Sequence, residues 1–179
     1  MSNREDLIKE KIRHEEAEER RDIFAIRRAM LDFLINSKGY LTDDIEIDAK
    51  FEISAGNRTE AVSTDFIIKL AGVRFMAVKC APSTLGSRER HILSFCRVVD
   101  SYQIPYCLIT DGEKAIMLDT LTGKTMSEDF ALIPSRTEAL EKIKGIKLEK
   151  YPDNRLEREK LILLAYQCAN CPIELTPDG

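Results

Sequence analysis

An aspartate and a lysine interrupt two neighbouring apolar runs of the chain and could form a pair of opposite charge. Asp65 lies in VSTDFIIKL and Lys79 lies near the end of VRFMAVKC. The two runs flank Ala71-Gly72, a typical hairpin turn, and regular pairing across that turn sets residue 65 opposite residue 78. A small irregularity would bring the Asp65 carboxylate to the face that carries Ala77 and Lys79. The alternative is an exposed aspartate and a lysine whose ammonium reaches solvent.

The sequence CANC near the C terminus is a second candidate for chemistry. Cys168 and Cys171 have the spacing of one half of a zinc site. The chain contains no second CxxC, and its two histidines, His14 and His91, are far away in sequence. This favours an ordinary pair of cysteines. The sequence has neither a phosphate-binding glycine loop nor a GxSxG nucleophile elbow.

The segments around Asp65 and Lys79 predict an antiparallel meander followed by a crossover. Residues 45–53, IEIDAKFEI, alternate between apolar and polar and indicate a half-buried strand. Three strands therefore precede a helix that an apolar stripe predicts over residues 88–102. Residues 104–110, IPYCLIT, are almost all apolar, as in a strand buried on both faces. Strand, helix and strand together form a βαβ unit.

Further helices are predicted at both ends of the chain. Residues 4–36 form one long helix or two joined ones, charged in the first half and amphipathic in the second. A last strand is expected over 114–120. Ser135 and Glu138 form a capping box, and a final helix follows over 154–167. The order α-β-β-β-α-β-β, then two small helices, predicts one α/β domain with a mixed central sheet flanked by helices.

Composition limits the function classes. The chain has 179 residues, five cysteines and a formal net charge of −4. This charge gives no sign of a strongly basic nucleic-acid-binding protein, although a local basic groove can exist on an acidic chain. No run approaches the roughly 18 apolar residues of a membrane span, and the charged N terminus carries no secretory signal. We therefore expect a cytoplasmic protein with reduced thiols and no membrane partner.

The arrangement resembles the PD-(D/E)xK nucleases, the restriction-endonuclease-like superfamily, and more narrowly the N-terminal domain of type I restriction enzyme R subunits. The resemblance covers about residues 20–125. It rests on the order and spacing of FLINSKGY, the aspartate of STDFIIKL, the hairpin into FMAVKC, and SYQIPYCLITDGEKAIMLDTLTGK. The R subunits carry a motor after this domain, and the sequence contains no helicase motifs, so we expect a stand-alone domain.

The resemblance implies a magnesium-dependent phosphodiesterase site. Asp65 would bind Mg²⁺ together with a glutamate and the backbone carbonyl of Val78, which are the hard oxygen ligands that Mg²⁺ prefers. Lys79 would be the catalytic lysine, which positions water and stabilises charge on the scissile phosphate. Ala77 stands where the family has the glutamate, and a methyl group cannot bind a metal.

Two interpretations of Ala77 are open. In the first, an acid from another strand replaces the glutamate, and Glu46 is the leading candidate, with Asp48, Glu52 and Glu60 as others. In the second, the site is degenerate and the fold is kept for binding.

The helix after Lys79 supplies the candidate contacts to nucleic acid. The polar residue that the family carries on this helix corresponds to His91. His91 could contact phosphate beside Lys79, with Arg88 and Arg90 nearby, although these arginines form no obvious basic stripe. The alternative for His91 is a surface histidine at the start of a helix.

We predict a charged N-terminal helical extension (1–20), a nuclease-like core (21–132) and a C-terminal helical extension (133–179). The predicted function is DNA binding with a degenerate or altered Mg²⁺-dependent site, alongside partner proteins of a restriction or DNA-processing system. If active, the protein would be a Mg²⁺-dependent endonuclease. The alternative is a protein-interaction scaffold that kept the nuclease fold, because fold alone does not determine function.

Overall fold

The computed structural model describes residues 3–82 and 85–168. The helices are α1 (Asn3–Asp32), α2 (Leu85–Val98), α3 (Arg136–Gly145) and α4 (Asp153–Cys168). The strands are β1 (Ile45–Ile47), β2 (Lys50–Ala55), β3 (Arg58–Ser63), β4 (Phe66–Leu70), β5 (Val73–Cys80), β6 (Tyr106–Thr110), β7 (Ala115–Asp119) and β8 (Thr125–Ser127). A π-helical turn, Phe33–Ser37, extends α1.

Six strands form one mixed sheet in the order β1-β4-β5-β6-β7-β8. Strands β5 and β6 are parallel, with α2 as the crossover between them, and the other neighbours are antiparallel. All five residues of β6 are buried, as expected for a strand covered on both faces. The predicted α/β class with a mixed central sheet flanked by helices is confirmed, and β8 is an addition to the predicted order.

The predicted single strand over residues 45–53 is wrong. Asp48 has a positive φ of 51°, which bends the chain and ends β1. Strand β1 pairs with β4, whereas β2 pairs with β3 in a separate two-stranded sheet. The alternation of apolar residues continues across the bend because each half buries one face against a different part of the protein.

Two hydrophobic cores lie on the two faces of the six-stranded sheet. One joins the sheet to α1 and α3 and includes Met30, Leu34 and Ala139. The other joins the sheet to α2, α4 and the β2–β3 hairpin, and Leu163 and Leu164 are fully buried in it. The prediction that the C-terminal helix packs on the core is therefore confirmed. Helix α4 closes the face on which Ala77 and Lys79 lie.

Several local signals are formed as predicted. Ala71 and Gly72 both have positive φ and make the tight turn between β4 and β5. The capping box of Ser135 and Glu138 begins α3. Helix α1 runs without a break through residue 20, where we predicted the end of an N-terminal extension.

Two sequence features reach the limits of the described chain. No helix among the described residues is long and apolar enough to cross a bilayer. Cys171 lies outside the described residues, as does the side chain of Cys168, so the zinc hypothesis stays a prediction.

Candidate active site

The structure brings the Asp65 carboxylate within 3.2 Å of the Lys79 ammonium. A register shift in the β4–β5 hairpin sets Phe66 opposite Val78, one residue away from the regular pairing. Asp65, which directly precedes Phe66, therefore lies beside Lys79 at the end of β5. The predicted irregularity is present, and it places the acid and the lysine together.

The Asp65 carboxylate is already surrounded by donors. Asp65 is only 5% exposed, and its Oδ2 atom accepts a hydrogen bond of 2.8 Å from the backbone N–H of Cys80. Its Oδ1 atom lies 3.4 Å from Nε of Arg27, on helix α1. Together with Lys79, these groups compensate a buried charge that would otherwise be costly.

Arg27 is the main site residue that sequence reasoning missed. Its Nη2 atom donates to both carboxylate oxygens of Asp48 at 2.8 Å, and its guanidinium lies 5.6 Å from the centre of the Phe66 ring. The missed signal is its position, four residues after Ile23 and three before Met30, which places a cation within the apolar stripe of α1. One arginine thus joins α1 to the acids at the ends of β1 and β4.

The residues expected to complete a Mg²⁺ site are not available to it. Ala77 is fully buried in the core under α2, where it offers no oxygen. The carbonyl of Val78 accepts a 2.7 Å hydrogen bond from Oγ1 of Thr64. In the part of the chain that the structure describes, no group of three or more His, Cys, Asp or Glu side chains is arranged to hold a metal. The local side chains therefore do not fit the implied Mg²⁺ site.

The structure places the proposed replacement acid, Glu46, in a different cluster. Its carboxylate accepts a 2.8 Å hydrogen bond from Nε of Arg74 and lies 3.4 Å from the ammonium of Lys69. Burial raises the pKa of Glu46, but hydrogen bonds and charge from Arg74 and Lys69 outweigh this effect and lower it. The assignment of Glu46 to the metal site needs correction, because these two cations hold its carboxylate elsewhere.

The remaining acidic candidates do not supply the missing ligand either. The Asp48 carboxylate is held by both of its oxygens on Arg27. Glu52 and Glu60 lie on the β2–β3 hairpin, in the separate sheet, and Glu60 pairs with Arg58.

A pocket of about 360 Å³ opens beside Lys79, between α1, the end of β5 and α2. We call it the Lys79 pocket, and it is lined by Glu19, Ile23, Ser63, residues 79–82, Arg88 and His91. The charged groups among these lining residues are Lys79 and Arg88, which are positive, and Glu19, which is negative. The pocket therefore combines Lys79 with two of the predicted nucleic-acid contacts, Arg88 and His91.

His91 is not the surface histidine that we weighed as an alternative. It is 3% exposed, and neither ring nitrogen has a hydrogen-bond partner among the described residues. Its ring lies 5.5 Å from the ring of Tyr166 on α4. Burial, followed by the positive charges of Lys79 and Arg88, lowers the pKa of His91 from 6.5 to about 4. The imidazole is therefore neutral at pH 7.

Arg90 does not join this pocket, and its assignment as a nucleic-acid contact needs correction. Its guanidinium binds both carboxylate oxygens of Glu159 on α4, with a 2.7 Å bond from Nη2 to Oε2. Arg97, at 3.3 Å, and the hydroxyl of Tyr151, at 3.1 Å, contact the same carboxylate. The cluster fastens α4 to α2, so the charge of Arg90 is used inside the protein.

Comparisons with known proteins agree with this architecture. The sequence model of one family, described as type I restriction enzyme R protein N terminus, matches residues 24–134. A solved fragment assigned to the HsdR subunit of a type I restriction enzyme from Vibrio vulnificus YJ016 is similar over 70% of the chain, with 17% identity and a TM-score of 0.42. The chain covers 25% of that structure. No curated protein matches the chain.

Proposed function

Because the chain belongs to the family of type I restriction enzyme R protein N termini, we propose that it binds DNA in a restriction or DNA-processing system and does not cleave it through Mg²⁺. Membership of the family makes this a restriction-related, nuclease-like domain. DNA binding and the loss of cleavage are the parts that we propose.

The observation that carries the proposal is the occupied state of Asp65 beside the buried Ala77. A nuclease site of this kind needs at least two acidic ligands so that their charge can hold Mg²⁺. Here one ligand is a methyl group, and the other is bonded to Lys79, Arg27 and the amide of Cys80. A divalent cation would have to displace two positive side chains from one carboxylate, which Coulomb repulsion opposes.

The retained polar groups support binding. Lys79 keeps the position of the family's catalytic lysine, and Arg88 and His91 line the same pocket. These groups offer donors to a phosphate oxygen, as the backbone contacts of most DNA-binding proteins do.

Two assays on the unmodified protein test the proposal. We expect a labelled DNA duplex to bind at about 50 mM salt and to be lost steeply towards about 200 mM, because phosphate contacts release counterions. We also expect no Mg²⁺- or Mn²⁺-dependent cleavage of plasmid DNA. Cleavage would refute the loss of activity, and absence of binding at low salt would refute the DNA-binding role.

Two lysine variants locate the binding surface. Lys79→Met should weaken DNA binding because it removes the cation that faces the pocket. Lys69→Met is the matched control, since Lys69 lies on the adjacent strand and pairs with Glu46. Equal loss in both variants would show that DNA binds by diffuse charge and not at the Lys79 pocket.

A second candidate, a protein-interaction scaffold, is favoured by a different observation. Helix α1 exposes Leu7, Ile8 and Ile12 by 58%, 51% and 49%, in a stretch where every residue from 6 to 20 is exposed. Exposed apolar side chains on a helix are typical of surfaces that bind other proteins. Copurification of a partner that is lost in an Ile8→Lys/Ile12→Lys variant, together with no DNA binding, would favour this candidate.

A further inference from the structure

We propose that the Lys79 pocket binds a single phosphomonoester dianion without a metal ion, and that its source is the phosphate at a DNA end. The source of the phosphate rests on the proposed function, whereas the chemistry of the pocket rests on the geometry of its own side chains.

The unpartnered imidazole of His91 is the first observation. A neutral imidazole offers one N–H donor and one acceptor, and polar groups buried without partners are rare in folded proteins. His91 is 97% buried, lines the pocket, and has no hydrogen bond among the described residues. An oxygen of a bound phosphate would accept the N–H of His91 and satisfy this group.

The charges around the pocket favour an anion over a cation. Lys79 contacts Asp65 at 3.2 Å, but an ammonium has three donors, so others can serve a ligand. Arg88 adds a second positive side chain to the wall. Opposing them, Glu19 is exposed on α1, so its carboxylate can turn towards solvent. A metal ion would meet two cations in this pocket, whereas a phosphate would meet two donors of matching charge.

The remaining cations of α2 explain why one terminal phosphate is expected and not a length of duplex backbone. Arg90 and Arg97 are bound to Glu159, and Arg74, on β5, is bound to Glu46 and Asp100. These groups cannot form a continuous track for the DNA backbone without breaking internal ion pairs. The arrangement thus concentrates recognition in one concave site.

A phosphomonoester fits this site better than an internal phosphodiester. A monoester carries a charge of about −1.5 to −2 near pH 7, while each phosphate within a strand carries one negative charge. With two cations facing the ligand, the attraction grows with the charge of the ligand. The pocket volume of about 360 Å³ is at the small end of the range for sites that enclose a small ligand.

The experiment compares three versions of one short DNA duplex in the presence of EDTA: with 5′-phosphates, with 3′-phosphates and with hydroxyl ends. We expect a phosphorylated duplex to bind about tenfold more tightly than the hydroxyl duplex, which is the effect of one charge-assisted contact. Inorganic phosphate should compete for the phosphorylated duplex and should by itself raise the melting temperature of the protein.

Two variants separate a ligand contact from a structural role. His91→Leu should abolish the preference for phosphate while leaving the melting temperature unchanged or higher, because it removes buried polar atoms that have no partner. Glu19→Gln, at an exposed position, should strengthen binding of the phosphorylated duplex about threefold, because it removes like charge from the pocket.

Each outcome is decisive. Equal affinity for phosphorylated and hydroxyl ends would overturn this inference and leave the DNA-binding proposal standing. Binding of inorganic phosphate without binding of any duplex would support the pocket and overturn the DNA-binding role. No response to phosphate in either form, or an unchanged preference in His91→Leu, would overturn the inference.

Discussion

The guanidinium of Arg27 lies 3.4 Å from the carboxylate of Asp65, on an element that precedes the sheet in sequence. Since Asp48 binds the same guanidinium at 2.8 Å, one side chain connects α1 with the ends of β1 and β4. The acid expected to bind a metal is thereby part of the protein's internal ion-pair network.

Arg27→Leu should therefore destabilise the protein. The variant leaves Asp65 buried with fewer compensating charges, and we expect the free energy of unfolding to fall by about 1–3 kcal/mol. Urea denaturation at pH 7 measures the change. Arg28→Leu is the control, because Arg28 is exposed and should change stability by less than about 0.5 kcal/mol. Equal effects of the two substitutions would mean that the contact of Arg27 with Asp65 contributes nothing.

Ala77→Glu should not restore a metal site. Ala77 is fully buried between β4 and β6, and a larger, charged side chain there should lower the free energy of unfolding by about 2–4 kcal/mol. Arg27 still occupies Asp65, so calorimetry should detect no new binding of Mg²⁺ or Mn²⁺. Ala77→Gln has the same shape without the charge, and its difference from Ala77→Glu isolates the electrostatic part. Tight metal binding by Ala77→Glu would show instead that the site is decayed at this one position.

Acidification should destabilise the protein through His91. Its pKa is about 4 in the folded state against 6.5 ordinarily, so the unfolded chain binds a proton first as the pH falls. The associated stability is complete above about pH 6.5, is lost progressively towards pH 4, and amounts to about 3 kcal/mol. Urea midpoints at several pH values between 7 and 4 should decline less in His91→Leu. Parallel declines in both proteins would refute this assignment.

Glu159→Gln should loosen α4 from α2. Burial raises the pKa of Glu159, but Arg90 and Arg97 outweigh it and lower the pKa to about 2. At pH 7 the variant leaves these arginines without their counter-charge, and we expect a loss of about 3 kcal/mol. The difference from the parent should shrink as the pH falls from about 4.5 towards 2, because the parent carboxylate then becomes protonated. Glu141→Gln, at an exposed pair in α3, is the control and should change little.

The local architecture followed from the sequence because its signals involve near neighbours. Ala71-Gly72 needs only its own backbone preference to turn β4 into β5, and Ser135 caps α3 through a residue three positions away. The same kind of signal failed over residues 45–53. Alternation reports that one face is buried, and it cannot report that the burying partner changes at Asp48.

The sequence by itself determined the α/β order, the convergence of Asp65 with Lys79, and the absence of a carboxylate at Ala77. Only the tertiary structure decided how these groups are used. It assigned Arg27 to Asp65 and buried His91 without a hydrogen bond. It also paired Arg90 with Glu159, 69 residues away. The physical reason is that such contacts depend on how whole helices pack on the sheet, and any of several charges at suitable spacing could have been brought together.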